Sequence, residues 1–202
     1  MAPTYHSYRY VLLPTLKFLG ANIDYQVAKH GLFPDTVGSI KMNIQSMKEP
    51  LKSINLTERG TFKGLRVIVD STPGKLWDYY KENFKPAFDL ILKESEKLKD
   101  YPIDFIETCI DKPSYSKSNT LCITAILDFE KPTMLTANLL LENKADLSKD
   151  HPNELLQEIL KLLKNDKIVL DEHHADQMLV YMSLANSDVP SALSTSSLSL
   201  HS

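Results

Sequence analysis

The sequence predicts an α+β chain, a β-sheet packed on helices, carrying an inserted β-α-β-β module. Three observations predict it. Stretches that alternate apolar and polar residues at period two stand beside stretches whose apolar residues recur every three or four positions. No apolar run approaches the roughly 20 residues that a membrane-spanning helix needs. Between residues 52 and 131 the order is strand, long helix, strand, strand, in a stretch long enough to form a unit of its own.

The first element is a helix. Tyr5, Tyr8, Leu12, Leu16 and Leu19 recur at helical spacing, Pro14 predicts a kink or break, and Gly20 a stop. Residues 22–29 and 38–47 are strand candidates, the second with Ile40, Met42 and Ile44 alternating against Lys41, Asn43 and Gln45. Gly31-Leu32-Phe33-Pro34-Asp35 between them is a turn. The module begins near Lys52. Leu65, Val67 and Val69 mark a strand over residues 62–70, and Trp77, Tyr80, Phe84, Phe88, Ile91 and Leu98 form a helical stripe interrupted at Pro86. That spacing makes the aromatic stripe core rather than a platform for stacking RNA bases. Residues 103–110 and 120–129 are the next two strands, the latter alternating Leu121, Ile123, Ala125, Leu127 and Phe129 with polar or small neighbours. Residues 134–141 resume the main domain as a strand, and Leu155, Leu156, Ile159, Leu160 and Leu163 define a helix entered through Asp150-His151-Pro152. The expected division is 1–51 with 132–202 as the main domain and 52–131 as the insert. Serines crowd the segment after Ala185, which reads as a flexible tail, although Leu198 and Leu200 alternate with Ser197 and Ser199 as a short strand would.

Composition excludes several partners. An apolar fraction of 43% with 24% charged residues is that of an ordinary globular protein, with no membrane partner. The net charge of -3 rules out a broad basic surface, so contact with nucleic acid would be confined to a strand end or a cleft. Met1-Ala2-Pro3-Thr4-Tyr5 opens on an amphipathic segment rather than a basic and then apolar leader, which predicts a cytoplasmic chain, or a nuclear one in a eukaryote. Cys109 and Cys122 have no companion at metal-ligating spacing and read as buried free thiols.

The candidate site lies on the last helix, residues 171–185. Ala175, Met178, Leu179 and Met182 form its apolar stripe, and His173, Asp176 and Gln177 fall on the opposite face. Val180 and Leu184 continue that face, so the helix should be wrapped by protein in its C-terminal half. A helix start attracts anions, because its first N–H groups lack partners and the macrodipole is positive there. Asp171 and Glu172 also fit a plain role at the helix start, and the polar face fits plain solvation. Spacing alone gives His6, His30, His151 and His174 no partner ligand and no chemistry of their own.

Residues 171–185 closely resemble the acidic-His/Tyr-x-Ala-Asp-Gln stretch of the RNA 3'-terminal phosphate cyclase family. His30 to Ile40 is similar to that family's Arg/His-Gly-x-x-Pro-x-Gly-Gly-Gly signature, with two of its three glycines replaced by Thr36 and Val37. Leu198-Ser199-Leu200-His201 resembles the approach to the family's nucleophilic histidine, and the expected insert sits where the family carries its small domain. The resemblance implies a cyclase-type repeat unit for the main domain. It implies ATP and a divalent metal, Mg or Mn, as cofactors and an RNA 3'-phosphate end as substrate. His201 would become adenylated, and AMP would pass to the RNA 3'-phosphate, whose neighbouring 2'-hydroxyl would then close the 2',3'-cyclic phosphate. The stretch His173, His174, Ala175, Asp176 and Gln177 would contact the nucleotide, with Asp176 on the metal. Family members carry more than a hundred residues with no counterpart before Tyr5. The chain therefore looks like a C-terminal portion, inactive alone, whose partner would be a missing N-terminal segment of the same protein. The alternative is a non-catalytic cyclase-like scaffold in ribosomal RNA processing.

Overall fold

The strands β4 (Phe62–Ser71) and β6 (Thr120–Phe129) run antiparallel down the middle of a four-stranded sheet. The computed structural model of the protein describes residues 4–32, 37–111, 119–133, 135–186 and 188–197. The sheet order is β5-β4-β6-β7, with β5 (Ile103–Cys109) parallel to β4 and β7 (Thr136–Glu142) antiparallel to β6. Parallel neighbours cannot be joined by a tight turn. The chain crosses from β4 to β5 through the helical run α3 (Lys75–Tyr79), a π-helical turn (Tyr80–Phe84) and α4 (Lys85–Glu94).

Strand alternation decides what covers each face. Leu65, Val67, Val69, Leu121, Ile123, Ala125 and Leu127 face one side, where Tyr80, Phe84 and Phe88 of the crossover and Leu155, Leu156 and Ile159 of α5 (His151–Lys164) close the core. Tyr80, Phe84 and Phe88 are fully buried, as the helical spacing of the aromatic stripe predicts. Ile68 and Ile126 face the other side. There they meet Val11, Leu12 and Leu16 of the N-terminal helical run and Ala175 and Met178 of α6 (Glu172–Leu184).

Both expected proline breaks are bridged rather than broken. The N-terminal run is α1 (Tyr5–Ser7), a π-helical turn (Tyr8–Leu12) and α2 (Leu13–Phe18), with Pro14 just inside α2. Leu13 N–H reaches back to Tyr8 O, and in the crossover Lys85 N–H reaches back to Tyr80 O, just ahead of Pro86. A proline supplies no N–H and its ring crowds the carbonyl four residues back. Widening the preceding turn relieves both and keeps the helix continuous.

β1 (Ile23–Lys29) and β2 (Ser39–Ile44) pair antiparallel as a separate hairpin. Its Ile40, Met42 and Ile44 alternate as expected yet stay exposed, although Tyr8 of the N-terminal run reaches Met42 Sδ at 3.6 Å. β3 (Asn55–Leu56) pairs in parallel with β8 (Ala192–Leu193), so the serine-rich segment returns along the body of the protein over residues 192–193. The strand expected at residues 198–201 lies outside the described residues. The boundary expected between residues 131 and 132 falls inside the four-stranded sheet, since β6 pairs with β7 from Thr120↔Glu142 to Ile126↔Thr136. β6 needs a partner on its free edge, and the next segment of the chain supplies it. Of the two thiols expected to be buried, Cys122 is and Cys109 is exposed at the end of edge strand β5. Among the described residues no helix is long and apolar enough to cross a membrane.

Candidate functional site

The start of α6 is built by one carboxylate. Asp171 is the N-cap, in extended conformation, and its Oδ1 accepts from His174 N at 3.0 Å. His174 Nδ1 donates to the same group, 2.9 Å from Oδ1 and 2.8 Å from Oδ2. Across the interface, Thr136 of β7 donates to Oδ2 from its amide at 3.2 Å and its hydroxyl at 3.0 Å. Burial pushes the Asp171 carboxyl up, but the hydrogen bonds and charge of His174, with Thr136, outweigh it and hold it below the usual carboxylate range. Glu172, the next residue, accepts from Ser197 Oγ at 3.0 Å. The anion position expected at this helix start is therefore occupied by the protein's own Asp171.

Helical geometry then sorts the candidate residues. His174 and Ala175 turn inward and are buried, whereas His173, Asp176 and Gln177 are half-exposed on the outer face. The C-terminal half of that face is not wrapped: Val180 and Leu184 are 60% and 62% exposed, and Leu179 of the expected apolar stripe is exposed too. The buried stripe is Asp171, His174, Ala175 and Met178. It shares Ala175 and Met178 with the stripe inferred from hydrophobicity but is displaced toward the helix start, because the Asp171–His174 pair takes a core position that a polar residue was not expected to fill. His201, the expected nucleophile, lies outside the described residues.

Beside the α6 start runs a groove of about 530 Å³, walled by Thr136 and Asn138 on β7, Lys161 on α5, Glu172 and His173 on α6, and Ser197. Its charged lining is Glu158, Asp171 and Glu172 against Lys161, so it is acidic overall. A polyphosphate entering it would meet repulsion unless a cation accompanied it. Among the described residues no three His, Cys, Asp or Glu side chains gather to cage a metal. A divalent ion held by these residues would take most of its shell from phosphate and water, as Mg²⁺ commonly does.

The second stretch singled out by sequence, His30 to Ile40, is anchored at its base. Tyr5 Oη lies 2.6 Å from His30 Nδ1. Gly31 faces Gly38 just beyond the ends of the two strands: a Cβ there would strike the Gly38 backbone, with Gly38 N and Gly38 Cα (2.5 Å) both inside contact. Among the described residues no non-glycine has positive φ, so Val37 does not carry the conformation that its β-branch would resist. Phe33 to Thr36 lie outside the described residues.

Two buried polar arrangements escaped the sequence. His6 Nε2 meets Asp70 Oδ2 at 2.6 Å between α1 and β4. Arg59 donates to Leu162 O at 2.8 Å and Leu163 O at 2.9 Å and lies 3.4 Å from Ile168 O, with its guanidinium 4.7 Å from the Phe129 ring centre. The available signal for the first was parity: Asp70 shares a strand face with Ile68, so it points inward.

The family described as RNA 3'-terminal phosphate cyclase matches residues 1–202. A probable RNA 3'-terminal phosphate cyclase of Dictyostelium discoideum is 24% identical over 203 residues, covering 99% of this chain and 44% of that protein. The chain thus spans less than half the length of this curated relative.

Proposed function

The chain belongs to the RNA 3'-terminal phosphate cyclase family, and from that premise we propose that it carries the nucleotide-handling part of an ATP-dependent conversion of RNA 3'-phosphate ends to 2',3'-cyclic phosphates. The observation that carries this reading is the outward face of α6, on which the family-type His173, Asp176 and Gln177 stand together, with His173 lining an acidic groove. Asp176 would hold a divalent ion, which neutralises triphosphate charge and aligns the α-phosphate for in-line displacement. Gln177 and His173 would hydrogen-bond the nucleotide, as amide and imidazole groups on a helix face can. Ala175, small and buried, lets α6 sit close to the core so that its polar face keeps its direction. His174 lies on the inner side and would act through the fold rather than on the ligand.

The covalent step falls to His201. Its neutral imidazole nitrogen would attack the α-phosphorus of ATP with loss of pyrophosphate, forming a phosphoramidate that donates AMP. The RNA 3'-phosphate would accept AMP, and attack by the adjacent 2'-hydroxyl would release AMP and close the ring. Complete turnover is proposed to need, besides this chain, a segment corresponding to the part of the Dictyostelium relative it does not match.

The test is labelling. Incubated with α-labelled ATP and Mg²⁺ or Mn²⁺, the chain should acquire an acid-labile, base-stable label, while His201→Ala binds ATP and stays unlabelled. Absence of ATP binding by the parent, or a label mapped to lysine, would reject the reading in favour of a non-catalytic scaffold in ribosomal RNA processing.

A further inference from the structure

We propose that His174 is a positioning residue: through Asp171 it fixes the separation between the first turn of α6 and strand β7, and so aims His173, Asp176 and Gln177. The proposal rests on the nucleotide reading of that face. The starting observation is a residue whose burial costs more than it returns locally. His174 is 1% exposed, and its Nε2 has no hydrogen-bond partner. An apolar side chain of similar volume would fill the position without leaving a buried polar atom unsatisfied. What the imidazole gains is its Nδ1–H, which bonds the Asp171 carboxylate at 2.8 and 2.9 Å.

That carboxylate accepts hydrogen bonds from both walls: His174 N and Nδ1 on α6, Thr136 N and Oγ1 on β7. Thr136 is paired with Ile126 in the central sheet, so the anchor on that side is rigid. Thr136 of β7 and His173 of α6 also line the same groove. A carboxylate that accepts from both walls therefore sets the groove's width, and the imidazole holds the carboxylate in register. A capping Asp171 without His174 would still terminate the helix. It would leave the carboxylate free to rotate away from Thr136. The outward residues lie one, two and three positions from His174, so slack at this joint re-aims all three at once. Outer partners of this kind change ligand affinity by roughly 10- to 100-fold when removed.

The test separates the donor from the bulk. His174→Leu keeps volume and removes the donor; His174→Asn keeps an N–H at the place of Nδ1. ATP binding with Mg²⁺ is measured by calorimetry on the full 202-residue chain, and amide exchange at Thr136 and His174 by mass spectrometry. His174→Leu should bind ATP about 10-fold more weakly and exchange faster at both amides, while His174→Asn stays near the parent in both. Binding by His174→Leu equal to the parent's, or His174→Asn failing as His174→Leu does, overturns the proposal. If the parent itself binds no ATP, the nucleotide reading fails, and exchange decides positioning: unchanged protection at Thr136 in His174→Leu overturns it. Should His174→Leu not fold, Thr136→Val takes its place, removing the hydroxyl donor alone and giving a smaller loss in the same direction.

Discussion

Arg59→Met should lower the stability of the whole chain while leaving its secondary structure intact. Arg59 is 6% exposed and sits just before β4, where its guanidinium reaches the last carbonyls of α5 and the segment leading into α6. Its bonds to Leu162 O and Leu163 O, at 2.8 and 2.9 Å, come from a charged donor and are worth about 1.5–3 kcal/mol each. The 3.4 Å contact to Ile168 O is too long to count. Leu162 and Leu163 are half-buried, so water can replace the lost donor and return about half of that value. Loss of the guanidinium over Phe129 adds about 0.5–1 kcal/mol. The net is about 2–4 kcal/mol, which for a chain of this size lowers Tm by roughly 5–12 °C. Arg59→Lys should recover about half, because an ammonium keeps the charge but cannot fork to two carbonyls. Scanning calorimetry and urea unfolding monitored by circular dichroism measure both variants. A change below about 0.5 kcal/mol in Arg59→Met would refute the view that this guanidinium ties the end of α5 to the floor beneath α6.

Asp176→Asn, which keeps the size of a half-buried side chain, should weaken binding of ATP in the presence of Mg²⁺ by roughly 10-fold or more, and Gln177→Ala less, with both variants still folded by circular dichroism; equal loss without metal would remove Asp176 from the ion. Glu107 is pushed up by burial, but hydrogen bonds from Lys81, Lys85 and Tyr80 prevail and hold its carboxyl at about 2. A depressed carboxyl stabilises the fold above its unfolded pKa of about 4.3 and loses that contribution as pH falls toward 2. Glu107→Gln should flatten the fall in Tm across that window, and an identical profile would exclude this group. Cys109 is exposed, whereas burial, with Asp70 nearby, pushes the Cys122 thiol up to about 12. A disulfide reagent at pH 8 should therefore modify one thiol in the native chain, and none in Cys109→Ser until it is unfolded.

Periodicity alone was enough to place nearly every element. The alternation of Leu65, Val67 and Val69 and of Leu121, Ile123, Ala125 and Leu127 determined two strands and the face each would bury, because a pleated backbone sends every second side chain to the same side. The spacing of Tyr80, Phe84 and Phe88 likewise determined a core-facing helix. The outward face of α6 with His173, Asp176 and Gln177 was equally legible, since positions i, i+3 and i+4 of a helix share a side whatever surrounds them. Asp171 as a helix cap followed from local sequence too. The structure alone decided what has no local cause. Which strand completes β6 depends on a free edge finding β7 rather than on composition near residue 131. The exposure of Val180 and Leu184 depends on which elements reach α6, and hydrophobicity cannot report that. His174 shows the division most sharply. Its partner Asp171 is three residues away and visible in sequence, but Thr136, which turns that pair into a joint between helix and sheet, lies 35 residues from Asp171 and meets it only when the chain has folded.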